Sequence, residues 1–419
     1  MSNNRFNYAD WMKDILTSNI SFSTLKNDIN NEDKAFVNML FMTAFRQLTF
    51  IQKEVMPNFV KKKIPQKNNI LEYILYLGIT ELLFMDTPSY AVLNSYVEIA
   101  KKKTDKFGAN FVNAILRNVL RNKDELLKNR KTKYFSKKFI EMLNSDYSKE
   151  EIIKMENMVD MEVPLDVSAK QDFKHTFEEA FQLDKNTFRF NANTKITALD
   201  GFDDGDIWAQ DFASSLPIKS IDNLDLNGKR VLDLCAAPGG KTAQLLDRGA
   251  IVTAVDISEE RLNRLKENIT RLKLGKNLTT ICCDALDINF DKKFDIILVD
   301  APCSATGTFR RHPEIIHTKK SDDVKKLVKL QKKILEKASF FVNDSGFLVY
   351  ATCSLSKSEG EKQIFDFINN NPDYLIKKLS IDNFDIFSTK DGFLRVLPYH
   401  LEKYSGIDGF FVACLQKKN

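Results

Sequence analysis

Two cysteines combine a residue type and a chain position that suit covalent chemistry. Cys303 lies in an Asp-Ala-Pro-Cys-Ser sequence, and Cys353 lies in a Thr-Cys-Ser sequence. Each cysteine follows an apolar run, at residues 294–299 and 347–351, that predicts a buried parallel strand. Ligands bind outside the carboxyl ends of the strands in an open α/β sheet, so both thiols should open into one cleft. Such a thiol pair indicates covalent attack on an electrophilic carbon.

A regular alternation of predicted strands and helices after residue 230 supplies the sheet that positions the thiols. Ser258 is a suitable N-cap for a helix over residues 258–272, and Ser358 with Glu361 fits a capping box for the helix after the last strand. The alternation predicts an α/β doubly wound sheet. The other predicted strands are residues 231–234, 251–255 and 278–282.

A glycine turn follows the first strand of this predicted sheet. Glycines permit a tight turn with close backbone approach, and the helix that begins there offers free N–H groups. The spacing differs from the GxGxxG pattern, which argues against a dinucleotide pyrophosphate. The candidate cofactor-binding residues of the turn are Cys235, Ala236, Ala237, Pro238, Gly239, Gly240 and Lys241.

Acidic residues end the strands that follow the glycine turn. Asp256 is placed to accept both hydroxyls of a ribose, and Asp284 is placed to accept from an adenine amino group. Asp300, at the end of the next strand, completes the candidate cofactor-binding set. Each acid alone could serve as a cap or a turn residue. Together with the glycine turn they predict a nucleoside cofactor without a phosphate chain, S-adenosylmethionine.

Positive charge is concentrated in one segment. Residues 101–138 contain thirteen Lys and Arg against three acidic residues, a net charge of +10, whereas the whole chain has only +5. Such a segment predicts a polyanionic partner, with nucleic acid favoured. The alternative is a solvated helix face.

The chain is long enough for three domains. Helical periodicity over residues 1–125 predicts an all-α bundle, residues 126–225 read as a small α+β region, and residues 226–419 carry the α/β pattern.

The chain contains no apolar run long enough to span a membrane, and residues 1–8 lack the apolar core of a signal peptide. We therefore expect a cytoplasmic protein with reduced cysteines, no metal site and a monomeric state.

The motifs resemble those of the RNA cytosine-5 methyltransferases, and within them the bacterial Sun/RsmB family, which modifies 16S ribosomal RNA. The resemblance also reaches the amino-terminal region, which is similar to the NusB-type RNA-binding domain that this family carries. In the middle region, Arg189-Phe-Asn stands where the family has Arg-Val-Asn. The segments that carry the resemblance are residues 111–118, 233–242, 300–304, 305–314, 352–354 and 406–411.

The resemblance implies a role for each residue of the site. Cys353 is the nucleophile that adds to C6 of cytosine, Asp300 holds N3 and the exocyclic amine, and Cys303 serves the release of the C5 proton, directly or through water. Lys241 faces either the cofactor carboxylate or Asp300. The candidates for contact with RNA phosphates are Arg310, Arg311 and His312, with a solvated loop as the alternative.

Other interpretations stay open at this stage. A transfer RNA cytosine-5 methyltransferase would use the same site, although the NusB-like region argues against it. A DNA cytosine-5 methyltransferase would attack through the Pro-Cys thiol instead. A non-catalytic RNA-binding protein of ribosome assembly would leave Cys303 and Cys353 as small buried apolar residues, an interpretation that we adopt for Cys235, Cys282, Cys283 and Cys414.

Overall fold

The protein is described by a computed structural model that covers residues 5–18, 20–25, 29, 33–61, 64–66, 69–131 and 133–419. Residues 1–4, part of the segment predicted to lack an export signal, and residue 132, in the basic segment, lie outside the described residues. Within those ranges, no helix has both the length and the apolar composition that a membrane span needs.

The helices and strands are bounded as follows. The helices are α1 Arg5–Ser18, α2 Phe22–Leu25, α3 Lys34–Phe50, α4 Met56–Phe59, α5 Ile70–Phe84, α6 Ser89–Lys103, α7 Lys106–Arg121, α8 Lys123–Lys128, α9 Lys137–Leu143, α10 Lys149–Asn157, α11 Phe212–Lys219, α12 Gly240–Asp247, α13 Glu259–Arg271, α14 Ile315–Thr318, α15 Ser321–Ser339 and α16 Glu361–Asn370. The strands are β1 Leu165–Ala169, β2 Phe181–Asp184, β3 Thr187–Phe190, β4 Ile207–Ala209, β5 Arg230–Leu234, β6 Ile251–Asp256, β7 Leu278–Cys282, β8 Phe294–Asp300, β9 Val342–Thr352, β10 Tyr374–Lys377, β11 Leu394–Val396 and β12 Phe410–Lys417.

Contacts divide the chain into two units. The first comprises Met1–Asn144 with His312–Lys320, and the second comprises Ser145–Arg311 with Ser321–Asn419. The predicted boundaries at residues 125 and 225 stay a prediction.

The first unit is helical, as its periodicity predicted. The apolar positions that recur along α3 and α5 are buried in one core. Asp105 caps α7, because its side chain accepts a hydrogen bond from Gly108 N at 2.8 Å. Helices α5 and α7 approach closely at Gly78, where an added Cβ would lie 3.1 Å from the methyl carbons of Leu116. Short helices with a shared apolar core therefore form a bundle.

The second unit begins with a small antiparallel sheet in the order β2-β3-β1-β4. Its central strands are β3 and β1. The buried guanidinium of Arg189 bonds both carboxylate oxygens of Asp166, at 2.6 and 2.8 Å, and donates to Gly406 O at 2.6 Å. Arg189, the first residue of the Arg-Phe-Asn sequence, thus connects this sheet to the segment that precedes β12.

The main sheet of the second unit has the order β10-β12-β9-β8-β5-β6-β7. Strands β5 to β9 are parallel, so the predicted doubly wound α/β fold is confirmed. The chain order reverses between β5 and β8, and the carboxyl ends of β5, β6, β8 and β9 therefore border one cleft. Strands β10, β11 and β12 add an antiparallel edge that the sequence pattern did not predict.

Candidate active site

The structure brings the two predicted thiols together. Cys303 follows β8 and Cys353 follows β9, and the register of these parallel strands pairs Asp300 with Ala351. The two loops are joined directly, since Gly307 N donates to Cys353 O at 2.9 Å. The sulfur atoms lie 3.4 Å apart and are only partly buried. This distance permits an S–H···S hydrogen bond between them.

The surroundings of Cys303 keep its proton on the sulfur. The pKa of its thiol is raised well above the usual value, first by the hydrogen bond to Cys353, then by burial, and further by the negative charge of a Cys353 thiolate. At neutral pH Cys303 is therefore a thiol, and its S–H can be donated to the neighbouring sulfur.

Asp300 is held by a buried lysine. Lys241 Nζ lies 2.7 Å from Asp300 Oδ2, and the side chain of Lys241 is only 12% exposed. Burial lowers the pKa of Lys241, but the charge of Asp300 and the hydrogen bond to it raise that pKa more, and the net shift is upward. Lys241 is thus a cation at neutral pH. Of the two predicted partners for Lys241, the structure gives it Asp300.

The glycine turn after β5 forms the floor of the cleft. Gly239 has a φ of 103°, and an added Cβ there would lie 2.8 Å from Leu265 Cγ, so only glycine fits this position. Helix α12 begins directly afterwards, and its first N–H groups lack partners within the helix. Backbone donors are therefore available at the end of β5.

Asp256 links the glycine turn to α13. The side chain is almost fully buried at the end of β6, and it accepts hydrogen bonds from Ala237 N at 3.2 Å and Ser258 N at 3.1 Å. Arg261 Nη1 lies 3.4 Å from the same carboxylate. The predicted N-cap is confirmed, because Ser258 Oγ accepts from Arg261 N at 3.3 Å. A carboxylate has about four acceptor sites, so Asp256 keeps acceptor capacity toward a ligand.

Two further acids complete this edge of the sheet. Asp284, partly exposed after β7, forms a local turn in which Leu286 N donates to its Oδ1 at 2.8 Å. Asp233 is fully buried in β5, and its Oδ2 accepts from Thr242 Oγ1 at 2.7 Å. Burial raises the pKa of Asp233 to about 7. Its Oδ1 has no hydrogen-bond partner among the described residues.

These features fit a nucleoside cofactor. The turn supplies backbone donors without a side chain at Gly239. Asp256, which already has three donors, keeps about one acceptor site for a ribose hydroxyl. Oδ1 of Asp233 has no hydrogen-bond partner among the described residues. Which residues hold S-adenosylmethionine stays a prediction.

The arginines after the Cys303 loop form hydrogen bonds within the protein. Arg310 is fully buried and donates to Ser405 O. Arg311 bonds Asp211 at 2.5 Å and Asp408 at 3.0 Å. Burial of Arg310 makes its guanidinium inaccessible to phosphates, so the structure argues against the predicted RNA contact there, and Arg311 is engaged by two carboxylates. His312 is exposed, and its predicted RNA contact stays a prediction.

Two predictions made from local pattern were wrong. Helix α16 begins at Glu361 with Gly360 at its N-cap, so Ser358 and Glu361 form no capping box. The carboxylate of Glu359, which no prediction singled out, instead turns inward and is fully buried. Cys282 is exposed rather than buried, whereas Cys414 is buried as expected.

Known proteins share both the sequence and the fold of this chain. Residues 223–416 match the family described as "16S rRNA methyltransferase RsmB/F", and residues 5–121 match the "NusB family". The chain is 31% identical over 439 residues to ribosomal RNA small subunit methyltransferase B of Proteus mirabilis, with 96% of each chain covered. The protein of the same name from Serratia proteamaculans is 32% identical over 381 residues, covering 84% of this chain and 85% of the relative. The crystal structure of PH0851 shares the fold, with a TM-score of 0.72 at 22% identity over 93% of this chain and 91% of that one.

Proposed function

The chain belongs to the ribosomal RNA small subunit methyltransferase B family, and we propose that it transfers a methyl group to C5 of a cytosine in 16S ribosomal RNA through a covalent enzyme–RNA adduct. The observation that carries the proposal is the pair of sulfurs 3.4 Å apart beside the Lys241–Asp300 pair. S-adenosylmethionine supplies an electrophilic methyl group on a positively charged sulfur.

Cytosine C5 needs activation before it can accept a methyl group. The Cys353 thiolate adds to C6, which makes C5 nucleophilic. Asp300, fixed by Lys241, accepts from the exocyclic amine, and a proton that its carboxyl group shares with N3 neutralises the negative charge that builds on the ring. The target base must leave its stack to reach these groups, so the substrate is an accessible or splayed-out cytosine.

The release step is proposed for Cys303, the thiol 3.4 Å from the nucleophile. After Cys353 has bonded to carbon, its sulfur carries no charge and no longer accepts a strong hydrogen bond. Two of the causes that hold the proton on Cys303 then disappear. Burial and the charge of Glu359 still raise the pKa of Cys303. In the proposed step Cys303 passes its proton to water, and its thiolate then takes the C5 proton, directly or through water. Loss of the C5 proton expels the Cys353 thiolate and restores the aromatic base.

Methylation of defined RNA tests the proposal directly. Purified protein and S-adenosylmethionine are incubated with 16S ribosomal RNA or with transfer RNA, and the RNA is digested to nucleosides for mass spectrometry. We expect 5-methylcytidine in the 16S sample only. The same product only in transfer RNA would support the alternative substrate. Binding of RNA without any methylated nucleoside would support a non-catalytic assembly factor.

Asp256→Ala is expected to weaken S-adenosylmethionine binding by about 10- to 100-fold, because a hydrogen bond to a charged acceptor contributes about 1.5–3 kcal/mol. The removed acceptor would serve a ribose hydroxyl. Isothermal titration calorimetry measures the affinity. Asp256→Asn, which keeps one carbonyl oxygen, should lose less.

Two controls accompany this measurement. Asp256 also bonds Ala237 N and Ser258 N, so the melting temperature must show that the variant is folded. Asp287→Ala removes an exposed carboxylate near the end of β7 and should leave the affinity unchanged. Unaltered affinity in the folded Asp256→Ala protein would remove the ribose role from this residue.

The basic segment of the helical unit is proposed to bind the RNA backbone. Lys101, Lys106 and Arg117 are exposed on α6 and α7. Replacing all three with Ala should weaken RNA binding and flatten its dependence on salt, by about 0.7–0.9 in the logarithmic slope for each phosphate that the variant no longer neutralises. Fluorescence anisotropy with labelled RNA at several salt concentrations gives that slope.

A matched triple variant tests whether position matters in addition to charge. Lys326, Lys329 and Lys333 are all exposed on α15 in the other unit. Their replacement with Ala removes the same charge and should change the slope less. Equal slopes for the two triple variants would reassign the basic segment to a solvated face.

A further inference from the structure

Glu359 is a fully buried carboxylate that joins the two cysteine loops. It lies in the segment between β9 and α16, and its side chain has no exposed surface. A buried carboxylate is costly unless hydrogen-bond donors satisfy it. The identity of those donors therefore indicates what the residue does.

Each carboxylate oxygen of Glu359 has two donors. Oε1 accepts from Ser304 N and from Gln331 Nε2, both at 2.9 Å. Oε2 accepts from Ser304 Oγ and from Ser354 Oγ, both at 2.5 Å. Four donors fill the four acceptor sites of an ionised carboxylate. All four groups can donate at once, so the buried carboxylate is fully hydrogen-bonded.

The serines that bind Glu359 are the chain neighbours of the two cysteines. Ser304 follows Cys303 and Ser354 follows Cys353, so the carboxylate bridges the two loops one residue from each sulfur. The serine hydroxyls also lie 3.1 Å from each other. Glu359 thus fixes both loops at a common point.

Thr306 extends the same buried cluster. Its hydroxyl lies 3.2 Å from Ser304 Oγ and 3.3 Å from Ser354 Oγ, and it accepts from Leu355 N at 2.9 Å. Since one hydroxyl contacts both loops, the cluster has two independent links between them. Coupled hydrogen bonds in a buried site strengthen one another.

Glu359 is itself anchored to rigid elements. Its backbone oxygen accepts from Tyr350 Oη at 3.0 Å and from Thr352 Oγ1 at 3.4 Å, both on β9. Gln331, on α15, also donates to Pro302 O at 2.9 Å. The position of the Cys303 loop relative to β9 and α15 is therefore fixed through this carboxylate.

We propose that Glu359 is a positioning residue that sets the separation and alignment of the Cys303 and Cys353 sulfurs through Ser304 and Ser354. The inference rests on the proposed two-thiol reaction, because only such a reaction requires the sulfurs in register. Glu359 touches neither sulfur, so its effect on the chemistry is indirect. A displacement of a reacting group by about 1 Å can lower a rate by about 100-fold.

A bifunctional thiol probe measures this register without RNA or cofactor. Phenylarsine oxide condenses with two nearby thiols to form two As–S bonds and one water, whereas iodoacetamide reports each thiol singly. The protein carries Cys282→Ser and Cys283→Ser, because adjacent cysteines also bind arsenicals. Mass spectrometry of digested protein identifies the peptides of Cys303 and Cys353 that arsenic links.

In Glu359→Ala we expect bridging to fall to the level of a Cys303→Ala protein, which has only one of the two thiols. Single alkylation of both cysteines should persist. In methylation assays kcat should fall by about 100-fold with KM changed by less than about threefold. Glu359→Gln should restore most bridging and activity, because its amide can donate to the two serine hydroxyls after they rotate.

Two further variants keep the test decisive. If Glu359→Ala does not fold, the double variant Ser304→Ala and Ser354→Ala removes the two hydroxyl links and keeps the bond from the backbone N of residue 304 and the carboxylate's anchors. Reduced bridging is expected there too. Glu336→Gln, a partly exposed glutamate on α15, is the matched control and should change nothing. Full bridging and unchanged kcat in a folded Glu359→Ala or double-serine variant would overturn the proposal.

The two readouts separate this inference from the proposed function. Loss of bridging in the variants, with no 5-methylcytidine made by the unaltered protein, would retain the positioning role and reject the reaction. Production of 5-methylcytidine by the unaltered protein, with bridging intact in the variants, would retain the reaction and reject the positioning role.

Discussion

Cys353→Ala should abolish methyl transfer, with kcat lowered by about 10⁴-fold or more, because removal of a covalent nucleophile eliminates the reaction path. Cys303→Ala should behave differently. Its Cys353 can still add to C6 and the methyl group can still be transferred, but the C5 proton is not removed. The protein should therefore remain bonded to the RNA.

A denaturing gel distinguishes the two variants. Protein from cells expressing Cys303→Ala is run with and without nuclease, and a slower, nuclease-sensitive band is expected. That band should disappear when Cys353→Ala is added to the same chain. Sequencing of the trapped RNA would identify the target nucleotide.

Because the sulfurs lie only 3.4 Å apart, this experiment needs a folding control. A change at either cysteine can disturb the other loop, so both single variants must keep the melting temperature of the parent. Cys414→Ala removes a buried thiol far along β12 and should give no adduct. An adduct that persists in Cys353→Ala but disappears in Cys303→Ala would reverse the two roles and point to DNA-type chemistry.

Asp300→Asn is expected to lower kcat/KM by about 100- to 1000-fold, the range seen when one group that stabilises developing charge is removed. Lys241 Nζ donates to Asp300 Oδ2 at 2.7 Å, so the amide oxygen of an asparagine would face the lysine. The amide NH₂ would then face the base. It could not accept from the exocyclic amine of cytosine, and the negative charge that Lys241 now balances would be gone.

Binding and chemistry must be measured separately in this variant. Asp300 is also a candidate cofactor-binding residue, so calorimetry should give the affinity for S-adenosylmethionine before rates are compared. Lys241→Met should lower kcat in the same direction, because Asp300 loses the group that fixes it. Asp344→Asn, at the far end of β9, is the matched control. A normal rate for Asp300→Asn at saturating cofactor would exclude this carboxylate from the reaction.

Local sequence patterns were sufficient for the parallel strands and their terminal residues. Apolar runs of four to six residues correspond to β5, β6 and β8, and β9 extends beyond its predicted run. Strand β7, at the edge of the sheet, is only partly apolar and partly exposed. The apolar runs arise because a strand buried on both faces must be apolar throughout, and its carboxyl end must then carry the polar residues of the cleft. The positions of Cys303, Cys353 and Asp300 followed from this pattern.

Patterns of the same kind failed where a polar side chain has a distant partner. Arg310 looked like an exposed loop cation, yet it is buried and bonds Ser405 O, 95 residues away. Glu359 looked like part of a helix start, yet it bonds Ser304, 55 residues earlier. Local spacing carries no information about such contacts.

The position of each strand along the chain and of each motif after it are local properties, so the amino-acid sequence was enough to predict which residues lie at the carboxyl ends of β5, β6, β8 and β9. The pairing of charges within that cleft depends on the folded chain: Lys241 with Asp300, Arg311 with Asp211 and Asp408, and Glu359 with both cysteine loops. Desolvation explains the difference. A charge removed from water must find its partner wherever the folded chain supplies one, whatever the distance along the sequence.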